Sequence, residues 1–509
     1  MTLQAASTPV SSSDQPYLNA GDNAWQLTAA TFVALMSVPG LAVLYGGLVQ
    51  KKWAVNTMLM TFTAFAAVLI VWVLWAYKMG FGTPLWGGTG YKYTGGYISD
   101  FLHNFVGRPG TVLSHNGLQA QASIPDVNGG MPPFALPNAS VVYFQFVFAA
   151  ITPILFLGSV LGRIKFKVWL IFVPLWISLA YAVNAMLLWG GGYWAHKGAA
   201  DFSGGYVIHL AAGTSGFVAA AMIGSRLRRD REKALPHSLP LVAIGAGIVW
   251  LGWNGFNGGD PYFASADAAA AVLNTNMATA AALLTWVIWD TFAGPARKPT
   301  FLGAVNGMIV GLVAITPAAG YVNGAGALAM GAIASTVVWM AWTYLSRASF
   351  MRRVDDAMGV VYTHGMAGFM GGIMVGVFAD PSIVVYRSVA GSPVSVVGAL
   401  YGHPGQVAIQ LGAALTVIVW DGLVTFVVLK VISFFTPLRM SAEELEGGDL
   451  EVHDEEAYPE TEGARRILQG YGDYDEPRPL PASAGSANIA QASVQPAGTG
   501  ATNVGGGLR

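Results

Sequence analysis

Two histidines in this chain sit in matched surroundings. His209 lies eight residues after Asp201 and four before Gly213, and His364 lies eight after Asp356 and four before Gly368. An imidazole titrates near neutral pH, so a pair can relay a proton and hydrogen-bond a small polar molecule. The bland alternative is a packed side chain holding one hydrogen bond. Recurrence within apolar segments favours function, because ionisable groups there mark substrate and proton paths. The aspartates read most simply as helix caps, since a carboxylate just before a helix accepts free backbone N–H groups. Contact with a substrate is the other reading.

Aromatic side chains form a second set. Phe144 and Phe148 are one helical turn apart, Trp189 closes one apolar run, and Trp253 and Phe256 close another. They could be an interfacial belt or a cage that attracts a small cation through its ring faces. Spacing alone leaves both open.

The elements that must hold these residues are membrane spans. Of 509 residues, 54% are hydrophobic and 10% charged, and mean hydropathy is +0.51. So few charges could not solvate a globule of this size. A span needs roughly 20 apolar residues. Runs of that kind fall near 25–49, 55–79, 140–161, 168–188, 204–224, 238–256, 267–292, 301–317, 321–345, 359–378 and 406–435, giving about eleven helices. The expected fold class is an all-α polytopic membrane protein.

The loops set the expected orientation. Lys51, Lys52, Arg163, Lys165, Lys167, Arg226, Arg228, Arg229, Arg231, Lys233, Arg297, Lys298, Arg347, Arg352 and Arg353 all follow odd-numbered spans. Only Lys78, Lys92, Arg108, Lys197 and Arg387 lie in the other connections. Positive charge stays inside, so the N-terminus is expected outside and the C-terminus in the cytoplasm. His209 then enters its span from outside and His364 from inside. Matched patterns with opposed entry point to two inverted five-helix repeats plus a final helix, with a substrate site at the repeat interface.

The remaining segments divide the chain. The first fifty residues hold no Lys or Arg, so 1–24 reads as an external arm and not as a secretory leader. The span-bearing domain is 25–437, with a Gly-, Asn- and Pro-rich external insertion at 81–138. Residues 438–458 form an acidic cytoplasmic segment, and 459–509 read as a disordered Ser/Ala/Gly-rich tail. Zero cysteines exclude disulfides, thiolate metal sites and a Cys nucleophile. A net charge of −1 without a basic patch gives no sign of nucleic-acid binding. The chain lacks P-loop, Gly-x-Ser-x-Gly and His-Glu-x-x-His motifs, so an enzyme is not expected.

Several segments in order carry a family resemblance. They are Pro39-Gly-Leu-Ala-Val-Leu-Tyr45, Phe144-Gln145 with Phe148 to Pro153, Trp189-Gly-Gly-Gly, Asp201 to His209, Gly252-Trp-Asn-Gly-Phe256-Asn, Thr316 to Tyr321, Val354-Asp-Asp356 and His364-Gly. Over 22–458 the chain resembles the Amt/Mep/Rh ammonium transporter family, specifically its bacterial Amt branch. The resemblance implies a multi-pass protein of the plasma or inner membrane, a homotrimer with one pore per protomer, and a role in nitrogen uptake. It implies that Phe144 and Trp189 recruit ammonium, that Phe148 and Phe256 gate the pore, and that His209 and His364 line it as twin histidines. Asp201 would support the recruitment site structurally. The segment 438–458 resembles a tail that couples protomers and helps dock a PII-type signalling protein. No cofactor or metal is expected.

Three positions depart from the family pattern. Asp260 stands where relatives carry Ser, Gly359 stands where they carry a second acidic residue, and the insertion 81–138 is long. Asp260 could shape an Asp-Pro turn facing water or offer a carboxylate beside Phe144 and Trp189, screened by salt in an exposed vestibule.

Potassium matches ammonium in size and charge, so selection must use ammonium's donatable protons. Ring faces supply only about 2 kcal/mol when desolvated, so an acceptor such as Asp260 or Gln145 is needed as well. Beyond the gate, losing a proton would spare the cost of a bare cation. An ammonium sensor signalling through the tail is the alternative; an unrelated metabolite transporter is disfavoured for lack of paired charges within the spans.

Overall fold

The computed structural model describes residues 15–86, 94–123, 133–232, 235–352, 354–383, 385–387 and 393–458. Within them all eleven expected spans are helices: α1 (Ala20–Leu48), α2 (Lys51–Phe81), α3 (Asn138–Val160), α4 (Phe166–His196), α5 (Gly205–Ile223), α6 (Leu239–Gly258), α7 (Ala266–Phe292), α8 (Phe301–Ile315), α9 (Gly324–Arg347), α10 (Val361–Phe378) and α11 (Gly405–Ser433). Among the described residues the one strand pairing of any length joins Tyr386–Arg387 to Pro393–Val394. The low-complexity expectation for 459–509 lies outside the described residues.

Local sequence explains where several helices begin. Ser238, Ser265, Thr300 and Asn323 precede α6, α7, α8 and α9, and each side chain accepts a backbone N–H of the first turn. Short polar side chains do this because the first helical N–H groups have no partner within the helix. Small residues then let helices approach closely. A Cβ on Gly311 would meet Thr279 and one on Gly331 would meet Ala278, so α7 holds both α8 and α9 at backbone distance.

Helix α3 is the buried axis, with nearly all of Asn138–Val160 enclosed. Five spans, α1, α2, α4, α5 and α10, contain a π-helical segment, at Met36–Leu41, Trp72–Ala76, Ile177–Tyr181, Gly205–Leu210 and Val361–Met366. Such wide turns recur at functional sites because they re-aim side chains. The two bearing histidines are the matched pair expected from sequence.

The insertion is ordered over much of its length. Tyr97–His103 is helical, Phe101 meets Tyr193, and Phe105 meets Trp420, with ring centroids 5.3 and 4.7 Å apart. The acidic segment folds back on the spans. Lys165 N–H donates to Leu438 O (3.0 Å), Lys165 pairs with Glu444 (3.4 Å), and the Asp449 carboxylate accepts the N–H groups of Val55 and Asn56 (2.7 and 2.9 Å).

Candidate functional site

The two histidine helices start from the same construction. Asp201 accepts the N–H groups of Tyr206 and Val207, both at 3.0 Å. Asp356 accepts those of Val360 and Val361, at 3.1 and 2.8 Å. Both aspartates are therefore caps. Gly204 and Gly359, each five residues before its histidine, have φ of +107° and +73°. Only glycine takes that region freely. Gly359 is thus the backbone counterpart of Gly204, and Asp356 the cap counterpart of Asp201.

Each cap loop hangs on the third span of the other repeat. Phe202 and Ser203 donate to Pro317 O and Thr316 O, both at 3.1 Å, just beyond α8. Ala357 and Met358 donate to Ser159 O and Gly158 O at the end of α3, at 3.4 and 3.1 Å. The helices then cross at glycines. A Cβ on Gly213 would lie 2.1 Å from Gly365 Cα, and one on Gly368 would lie 2.6 Å from Gly205 O and 2.9 Å from His209 Cβ. The glycines four residues past each histidine make this crossing, which places His209 and His364 together.

Rings form a column leading to that pair. Centroids of Phe144 and Phe148 are 4.6 Å apart, Phe148 and Phe256 4.3 Å, Phe256 and His209 5.9 Å, and His209 and His364 5.5 Å. Trp253 stacks on His209 at 5.2 Å. All three Phe rings and Trp253 are buried, so the belt reading fails for them. Trp189 meets Phe148 edge-on at 6.2 Å and donates its indole N–H to Asp201 O at 2.6 Å. That bond joins one end of the column to the cap loop.

At that end Asp260 is 4% exposed and accepts the Ser203 hydroxyl. A turn facing water and an exposed, salt-screened carboxylate are both excluded. Burial pushes the Asp260 carboxyl well above the usual range, the Asp201 charge adds to this, and the Ser203 bond opposes it. Burial likewise lifts Asp201 to about 6, opposed by the backbone N–H groups it accepts. Gln145 is buried and its amide donates to the Tyr262 hydroxyl, leaving its oxygen without a hydrogen-bond partner among the described residues. Tyr262 also meets Phe144 at 5.8 Å and Phe134 of the insertion at 4.7 Å.

The two histidines differ in their surroundings. The Nδ1 of His364 bonds the Thr363 hydroxyl (2.9 Å). Among the described residues neither ring nitrogen of His209 has a hydrogen-bond partner, although the residue is fully buried. Buried imidazoles normally hold partners, so this ring is free to bond something passing. A cavity of about 40 Å³ bordered by His364, Tyr45 and Trp253 continues below, enough for a molecule or two of water size. It shares Leu48, Leu302, Asn306 and Met358 with a larger vestibule of about 490 Å³.

A family model described as Ammonium Transporter Family matches residues 24–458. The chain belongs to the ammonium transporter family. This ammonium transporter family member is 48% identical over 455 residues to ammonium transporter 3 member 2 of Oryza sativa subsp. japonica, covering 88% of this chain and 91% of the relative. It is 46% identical to ammonium transporter 2 of Arabidopsis thaliana, covering 87% and 89%. A crystal structure of Saccharomyces cerevisiae Mep2 superposes with a TM-score of 0.68 at 28% identity, over 84% of this chain and 89% of that one. These curated relatives are plant proteins; the bacterial branch expected from the sequence finds no support in them.

Sequence reasoning gathered Phe144, Phe148, Phe256, His209 and His364 correctly as neighbours. It missed Ser203, Tyr262 and Thr363. Tyr262 follows Asp260-Pro and could have been suspected as another outer aromatic; Ser203 and Thr363 carry no signal until the repeats are folded together.

Proposed function

We propose that this protein conducts ammonium nitrogen across the plasma membrane through the ring column, releasing a proton on the way. The observation that supports it best is the unbroken line Phe144, Phe148, Phe256, His209 and His364, ending in a small cavity. Ammonium is recruited between Phe144 and Trp189, with the carboxyl of Asp260 and the free oxygen of Gln145 as hydrogen-bond acceptors. The tight Phe148–Phe256 pair is the gate, and opening it requires the rings to move. A bare cation inside the bilayer costs from about 3 to more than 10 kcal/mol, so ammonium splits into ammonia and a proton that the histidine pair relays. One unpartnered His209 nitrogen then accepts from ammonia while the other, as N–H, can donate, and His364 carries the relay onward, oriented by Thr363. Asp201 holds the first turn of α5 and the Trp189 indole in place.

Loop charge supports an N-terminus outside and the C-terminal segment inside. The resemblance supports a homotrimer, and the docked segment 438–458 is where a PII-type partner would meet it; that segment is also what the bacterial-branch assignment rests on. Current in proteoliposomes tests the reading. Ammonium should elicit current or pH change in the lumen and potassium should not; equal responses to the two cations would overturn it.

A further inference from the structure

The vestibule at the far end of the path has a chemistry of its own. Asp290, near the end of α7, lines it together with Trp286, Trp339 and Trp342. Its carboxylate accepts the Trp339 indole N–H at 2.8 Å and the Thr300 hydroxyl at 3.2 Å. The other charged groups on this wall are mostly committed. Arg226 is paired with Asp355 at 2.7 Å and Asp230 with Lys52 at 3.2 Å. Lys298 is exposed on the rim. Among the described residues Asp290 has no cationic partner.

A carboxylate without a cation, fixed by two donors and walled by indoles, is suited to bind an ammonium group. The carboxylate supplies a charge-assisted acceptor, and indole is the most favourable ring for a cation. At about 490 Å³ the vestibule leaves room for water or an alkyl substituent beside the nitrogen. The same elements, carboxyl and aromatic wall, stand at the opposite mouth as Asp260 with Phe144 and Trp189.

We propose that Asp290 with Trp286, Trp339 and Trp342 forms a second cation site, for ammonium and small primary alkylammonium ions, at the vestibule mouth. It rests on the conduction reading: nitrogen leaving as ammonia takes up the relayed proton, or one from vestibule water that leaves hydroxide to meet the relayed proton, and is held there before release. The site makes entry from the vestibule saturable at lower ammonium than an open mouth would allow.

The test compares parental protein with Asp290→Asn and Asp290→Glu in vesicles, adding ammonium separately at each face. Asn keeps the acceptor for Trp339 but removes the charge. Half-saturation from the vestibule face should rise at least threefold in Asp290→Asn, stay unchanged from the Phe144 face, and return with Glu. An unchanged value, or an equal rise at both faces, would overturn the site and leave Asp290 as a brace for α8 and α9. Equilibrium binding of methylammonium to the detergent-solubilised protein is measured alongside. Should the parental protein show no flux, the conduction reading falls, and the site stands or falls on whether Asp290→Asn removes methylammonium binding that Asp260→Asn leaves in place.

Discussion

The rings of His209 and His364 face each other at 5.5 Å between centroids with planes inclined by 50°, although the residues come from different repeats. Replacing both by Ala should lower ammonium-dependent current at least tenfold, which corresponds to about 1.4 kcal/mol of barrier. The elution profile should stay that of the parental protein. Current measured with ammonium and then potassium checks this. A double variant with parental ammonium current and no potassium leak would remove the proton relay from the mechanism.

Asp260 is buried against Ser203, so its contribution should not depend on bulk salt. Hydrogen bonds involving charged groups are worth about 1.5–3 kcal/mol. Asp260→Ser and Asp260→Asn should therefore raise half-saturation for ammonium on the order of tenfold, equally at low and high ionic strength. A weakening that disappears in added salt would show that the carboxylate acts at long range from an open vestibule, since salt screens exposed charges.

The glycine crossing gives a packing prediction. Gly213→Ala places a Cβ against Gly365 Cα, and Gly368→Ala places one against Gly205 O. Backbone cannot yield as a side-chain tip can. Overpacking costs about 1–3 kcal/mol, so each variant should melt at lower temperature and lose flux by shifting the histidines. Melting in detergent together with transport rate reads both effects; Gly247→Ala, where a Cβ meets nothing, is the control.

Arg226 holds Asp355 through two side-chain bonds of 2.9 and 2.7 Å and a backbone bond of 2.7 Å. Burial pushes the Asp355 carboxyl upward, but the bonds and charge of Arg226, with Arg163 beside it, outweigh this and leave it below its ordinary value. A depressed carboxylate stabilises the fold above its unfolded pKa, about 3.9, and that stability is lost as pH falls through the folded value. Arg226→Gln should destabilise the protein by about 3 kcal/mol near neutrality. The gap in melting temperature between variant and parent should close as pH drops below 4. A gap independent of pH would mean that the guanidinium matters through packing alone.

The sequence by itself determined the spans, because the bilayer imposes one rule of length and apolarity on every crossing helix. All eleven fall at their expected places, α4 running eight residues further than expected at its end, and α6 to α9 begin at the short polar residues that cap them. It also determined the histidine pairing, because a repeated Asp–His–Gly spacing survives in one dimension. The tertiary structure decided what lies between the repeats. Whether Phe144 and Trp253 face lipid or a buried path depends on helix rotation, which apolar all-round spans do not encode. Asp260 was ambiguous for the same reason: a turn residue next to a helix end is exposed or enclosed according to what folds over it. Here Ser203, from a loop fifty-seven residues away in the chain, is brought under it by the bonds of Phe202 and Ser203 to the end of α8. What Gly359 does was hidden for another reason: a glycine's role here is a backbone angle, visible only once φ is known.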